Sequence, residues 1–424
     1  MIEYIFRRIL LMIPTFLGST ILVFTILQLA PGGPIEQIML NLQMGGAFGE
    51  GGGGLDSDGG MSLPPKALKE LERFYGFDKP IYQRYLSWLG IWPREIRHRD
   101  FVIPKNEVKI EKRVGKKNGK LWKVDIKLAK GNSLSVYEKD GSLSNVWKAK
   151  VENRSDKGVE AVVYQTEFSG ILTGNLGKSY TFLEPVVDVM KPRFKISLFF
   201  GLTGILLSYL VCIPLGIKKA LSHGSVFDFG SSALIFIAYS IPGWALGGVL
   251  LVLFGGGSFF DVFPLGGFRS PSEIWDSLTP IQKVFDQIHH MILPIIAWTI
   301  TSFATMTVLM KNSLLENLSQ DYVRTAFAKG LKEKRVIWLH AMRNSLIPIA
   351  SGIGHILGAV IAGSYFIERM FNIDGFGRMA FEAILSRDYP ITLGFLVIVV
   401  MIRLVGNLIS DITLAAVDPR IRFK

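Results

Sequence analysis

Long apolar runs alternate with short charged connections along most of this chain. Residues 9–29, 196–217, 229–254, 291–310, 346–367 and 391–414 are each mainly apolar over about 20 positions or more, the length an α-helix needs to cross a bilayer core. Six transmembrane helices are predicted. Basic residues fall at alternate ends of these runs: Arg7 and Arg8 precede the first, Lys218 and Lys219 follow the second, and Lys311 follows the fourth. The positive-inside bias puts these ends in the cytoplasm, with both chain termini, the second as a tail over 416–424, and leaves residues 31–195 outside.

The outer stretch is patterned differently. Residues 44–60 are glycine-rich and read as a flexible loop, since no strand precedes them and no Gly-Lys-Ser/Thr follows, as a phosphate-cradling loop requires. Residues 65–90 read as interfacial helices rich in Tyr and Trp. Over 91–168 the period changes to the alternation of half-buried strands: VKIEKRV, KLWKVDIKL, NSLSVYEK, NVWKAKV and EAVVYQT, with hairpin signals at Asn118-Gly119 and Asp140-Gly141. A small inserted β-meander of about five strands is expected there. Its basic residues, with Trp122 and Trp147, admit a nucleic-acid face. Solvated strands around a small tryptophan-containing core explain the same pattern more simply.

Composition supports the membrane class. Of 424 residues, 49% are hydrophobic and 19% charged, below the usual share of charge in soluble domains. The formal charge of +12 fits anionic headgroups and cytoplasmic loops better than nucleic acid. A single cysteine, Cys212, excludes an intrachain disulfide. The first run follows two arginines as a signal peptide would, yet it has full spanning length and ends in Pro31-Gly-Gly-Pro34 rather than at a small-residue cleavage site. His289 and His290 point to different sides of a helix, with no carboxylate or second histidine pair at ligand spacing, so an interfacial role is expected. His355, within the fifth run, reads as a packing residue.

The stretch DYVRTAFAKGLKEKRVIWLHAMRNSLIP, residues 321–348, lies between the fourth and fifth runs. Tyr322, Val323, Ala326 and Phe327 recur at helical spacing, Gly330 breaks the pattern, and a second helical stretch runs from about Lys332 to Ser345. A cytoplasmic helix-turn-helix results, whose apolar face has no evident partner within the chain. YVRTAFAKG with RNSLIPI resembles the "EAA" loop of ABC importer permeases in its oligopeptide/dipeptide form, where Arg324, Thr325 and Ala326 fill the triplet before Gly330. YGFDKP, GNLGKSYTF, IDGFG, SRDYP and the terminal VDPRIRF are similar to phrases of that family, and within it APGGP, YGFDKPI, GGGSFFDVFPLGGF, SRDYP and LISDI most resemble Yej-type peptide permeases.

The resemblance implies an all-α integral membrane protein with six transmembrane helices in the type I ABC importer permease architecture, interrupted by the inserted extracytoplasmic β-meander. It implies half of a translocation pathway for oligopeptides or peptide-like compounds. The partners implied are a second homologous permease, ABC ATPase subunits that hydrolyse ATP in its place, and an extracytoplasmic substrate-binding protein. No cofactor is called for, and no P-loop, His-Glu-x2-His or Gly-x-Ser-x-Gly occurs. Coupling to the ATPase falls to Tyr322, Val323, Arg324, Thr325, Ala326, Phe327, Lys329 and Gly330, with the apolar members as the docking face. Pro242 and Gly243, mid-run in YSIPGWALG, read as a packing kink or as a bend that lines or hinges the pathway. Three readings stand for Arg403, at the centre of the sixth run: lining a wet cavity at a subunit interface, pairing with Asp411 two turns on, or a misplaced span boundary. An ion-coupled secondary transporter or channel is the alternative, and it would show inverted repeats and intramembrane carboxylates.

Overall fold

The first apolar run folds as one helix, α1 (Ile2–Leu29), 28 residues that absorb Pro14 and stop at the Pro31-Gly-Gly-Pro34 break. The computed structural model describes residues 2–37, 39, 68–69, 71–73, 76–104, 109–117, 120–128, 134–138, 141–155, 158–257, 259–352 and 363–417. The glycine-rich segment 44–60, Asn118-Gly119, Asp140, Gly354, His355, Gly358 and the tail 418–424 lie outside the described residues. Two compact units divide the chain, Met1–Asn41 with Lys178–Lys424, and Leu42–Gly177.

In the second unit, α2 (Ile81–Leu89) ends at Gly90, whose φ of 92° is the left-handed conformation that glycine adopts without strain. Six strands follow: β1 (Arg94–Ile103), β2 (Lys109–Lys117), β3 (Lys120–Leu128), β4 (Leu134–Tyr137), β5 (Trp147–Ser155) and β6 (Gly158–Glu167). They form two three-stranded sheets ordered β1-β6-β5 and β2-β3-β4, so the expected meander of five is corrected to six strands in two sheets. The strand missed is β1, REIRHRDFVI, whose charged first half hides its alternation. Antiparallel pairing with the last strand, from Arg94 opposite Glu167 to Ile103 opposite Val159, secures it. Phe101, Ile103, Val124, Ile126, Val136, Trp147, Ala161 and Val163 bury together as the core, the non-polar role expected for Trp147. Glu95 lies 2.8 Å from Lys150 Nζ and 3.5 Å from Lys79 Nζ. Burial pushes its carboxyl up, but the Lys150 hydrogen bond and the charge of Lys79 hold it below the ordinary value.

The first unit resumes with α3 (Val186–Leu221), α4 (Val226–Ser240), α5 (Gly243–Phe254), α6 (Ser272–Ser277) and α7 (Pro280–Leu318). Next come α8 (Asp321–Ala328), α9 (Glu333–Arg335), a π-helical stretch Val336–Ala341, α10 (Met342–Ser345) and α11 (Ile347–Ser351). Last are α12 (Tyr365–Met370), α13 (Phe376–Leu385) and α14 (Tyr389–Val417). Helix α3 packs along α7, and α14 packs on α1, α11 and α13. Among the described residues three helices are long and apolar enough to cross a membrane, α1, α3 and α14, and two bent pairs bring the candidates to five. Of the predicted fifth span, 346–367, the beginning falls on α11 and the end on the start of α12, and residues 353–362 lie outside the described residues.

Two buried acids draw distant loops of this unit together. Asp388 accepts from Ser179 Oγ at 2.5 Å and from the Thr181 N–H at 3.0 Å, which joins the GNLGKSYTF and SRDYP phrases. Glu368 accepts from Ser197 Oγ of α3 at 3.1 Å and from the Arg378 N–H at 2.6 Å, while Ser197 Oγ accepts the Phe376 N–H at 2.8 Å. Two of the free N–H groups that open α13 are satisfied in this way. Gly375, beside the carboxylate, leaves no room for a Cβ.

Candidate functional site

The hairpin over 321–345 is built from the end of α7 outward. Helix α8 follows Leu318 after a short turn, and Tyr322 Oη donates to Asn317 Oδ1 at 2.8 Å, fixing the angle of that turn. Val323 is 1% exposed and Ala326 is buried beside it. Both lie in one core with Ile217 and Ala220 of α3, Met310 and Leu314 of α7, and Val336, Ala341 and Met342. The prediction of an unpartnered apolar face is corrected here: Val323 and Ala326 face inward and fasten α8 to its own chain. The pattern was read properly as helical, but period alone cannot tell whether an apolar stripe meets its own chain or another.

The opposite side of α8 is open. Arg324, Thr325 and Lys329 are exposed, and Phe327 keeps 45% of its surface exposed. Arg324 Nη1 lies 3.5 Å from Asp321 Oδ1, an exposed pair that contributes little. Trp338 and Leu339, on the π-helical stretch that packs against α8, are exposed at 56% and 57%. Gly330 makes the turn with φ +75° and no heavy atom near where a Cβ would stand, so conformation rather than space demands glycine. Ser313 Oγ of α7 donates to the Ser345 carbonyl at 2.9 Å and ties the hairpin's far end to the same helix.

Beside this core sits a charge cluster that the sequence pattern did not single out. Asp228, near the start of α4, lies 2.7 Å from Lys311 Nζ of α7 and 3.2 Å from Lys219 Nζ of α3. Lys219 is 1% exposed and donates also to the Asp228 carbonyl, Ser231 Oγ and Ser232 Oγ at 2.9, 2.7 and 2.8 Å. Three helices therefore converge on one carboxylate. The signal was present as lysines at the ends of two apolar runs, but it reads there only as topology.

The other predicted positions are separate from the hairpin. Ile241 and Pro242 are extended and break the third run into α4 and α5, which meet at 94°, sharper than the kink expected. Proline disfavours the α conformation in the residue before it, and Ile241 is extended. Arg403 is exposed at the midpoint of α14. It does not pair with Asp411, whose Oδ2 lies 3.0 Å from Arg8 Nη2 of α1. His290 Nδ1 accepts or donates one turn back, 3.6 Å from Asp286 Oδ1, a carboxylate the sequence reading discounted.

A bilayer-spanning body with an inward-fastened, outward-exposed hairpin matches a known family model over residues 212–423, described as the binding-protein-dependent transport system inner membrane component. The chain belongs to that family. This permease is 35% identical over 440 residues to the "Inner membrane ABC transporter permease protein YejB" of Escherichia coli O157:H7, covering 99% of each chain. It is 33% identical to the "Peptidoglycan transport system permease protein YejB" of Agrobacterium fabrum, over 99% of this chain and 98% of that one. Identity to the dipeptide permease DppB of Escherichia coli K12 is 27%, with 100% of both chains covered. Among solved structures the inward-facing MetNI methionine ABC transporter is similar at a TM-score of 0.41 and 14% identity, over 55% of this chain and 97% of that one. The permease is an inner membrane subunit of an ABC importer, and ATP hydrolysis resides in other subunits.

Proposed function

We propose that this permease forms half of the translocation pathway of an importer for oligopeptides or peptide-like compounds. It works beside a second homologous permease, on two ABC ATPases, and receives substrate from an extracytoplasmic binding protein. In this reading the chain spans the membrane six times, with both termini in the cytoplasm and the 91–168 strand module outside, in contact with the binding protein. The observation that carries this reading is the two-sided hairpin. Its inner side shares a core with α3 and α7, so a displacement of α8 moves both long helices, while its outer side offers Arg324, Thr325, Phe327 and Lys329, with Trp338 and Leu339, to an ATPase. Tyr322 and Gly330 set the angles at which α8 enters and leaves. The break at Pro242 and Gly243 supplies a flexing point, and Arg403 faces the pathway. Two arrangements of the helix bundles, each favoured by a different set of ligands, are what alternating access requires.

Gentle extraction from native membrane tests the reading. An ABC ATPase and a second permease should co-purify, and the reconstituted complex should accumulate short peptides only with ATP and binding protein. Uptake by the isolated chain under an ion gradient would instead establish a secondary transporter.

A further inference from the structure

Arg403 stands at the midpoint of the 29-residue α14, about 21 Å from either end at the helical rise. It is the one charged residue from Tyr389 to Ser410. An unpaired cation facing lipid in mid-span is costly. Yet Arg403 is exposed, and among the described residues no hydrogen bond or ion pair engages it.

The carboxylates nearest along the chain are already engaged. Asp388 takes Ser179 Oγ and the Thr181 N–H, and Asp411 takes Arg8. Asp228 lies between Lys219 and Lys311, and Glu368 takes Ser197 Oγ and the Arg378 N–H. Asn407 follows Arg403 by one turn on the same face, and its Oδ1 has no protein partner among the described residues. Arg403, Asn407 and Asp411 therefore make one polar stripe on an otherwise apolar helix, and no carboxylate among the described residues pairs with Arg403. A guanidinium pairs best with a planar anion that takes two parallel hydrogen bonds.

We infer that Arg403 is a carboxylate subsite of the pathway, occupied in transit by the C-terminal carboxylate of the peptide. This rests on the peptide-importer reading above. The charge attracts the group while water still fills the cavity, and the single contact is weak enough to release it.

Proteoliposomes holding the complete complex, with its binding protein, are given saturating tri-alanine or tri-alanine amide. Arg403→Gln should lower maximal uptake of the free acid about tenfold and leave uptake of the amide near the wild-type rate. Arg403→Lys, which keeps the charge but loses the fork, should retain most free-acid uptake. Equal losses for acid and amide, a lysine variant as impaired as the glutamine one, or undiminished uptake by the glutamine variant would each overturn the inference. Failure of Arg403→Gln to co-purify with the second permease would also overturn it, by making Arg403 an intersubunit ion pair. A wild-type complex that takes up neither probe sinks the peptide reading itself, and the subsite with it.

Discussion

At the scale of single residues, Gly330 and Asp228 act through different physics. Gly330 sits in open space at φ +75°, so a larger residue meets no neighbour but strains the backbone by about 1–2 kcal/mol. Gly330→Val should tilt α8 away from its partner. ATP hydrolysis per peptide transported should rise several-fold while the protein stays in the membrane, and Gly330→Asn, which tolerates that conformation, should be close to normal. Parallel uptake and ATPase assays on the two variants measure this. Asp228 is a stability residue: Asp228→Asn leaves two lysines facing each other without an anion, at a cost of about 3–5 kcal/mol. A lowered melting temperature of the purified complex, deepest at low salt, is the expected result. The first role was legible in the sequence because a left-handed turn selects glycine. The second was not, since Lys219, Asp228 and Lys311 are brought together only by the packing of three helices.

At the scale of elements, the two sides of α8 should separate experimentally. Val323→Asp buries a charge among Ile217, Met310 and Leu314 and should unfold the hairpin or lower expression. Phe327→Asp changes an exposed position and should leave thermal stability within about 0.5 kcal/mol of wild type. Its effect should be a sharp drop in ATPase co-purification. If both variants fail in the same way, the two-sided account of the hairpin is wrong. The helix itself was readable from its period. Which stripe is inside was not, because an apolar stripe has the same spacing whether it meets α3 or a separate chain. Strand β1 shows the converse limit: its charged composition conceals a strand that long-range pairing with β6 establishes.

At the scale of the whole molecule, the chain divides into a mainly helical body and a strand-rich unit with its own core. Removing 91–168 and closing the gap with a short flexible linker should therefore leave assembly with the ATPases intact and abolish uptake that depends on the binding protein. Undiminished uptake by the deletion variant would refute a role in receiving substrate. The sequence by itself determined the membrane class, the family and the hairpin's existence. These follow from hydropathy, charge and local backbone demands, which act over a few tens of residues at most. Only the tertiary structure decided which side of α8 is exposed, that Asp411 answers Arg8 rather than Arg403, that the third run breaks at 94°, and that one aspartate gathers two lysines from distant helices. Such pairings are set by how helices pack in three dimensions, and packing joins residues that no local pattern relates.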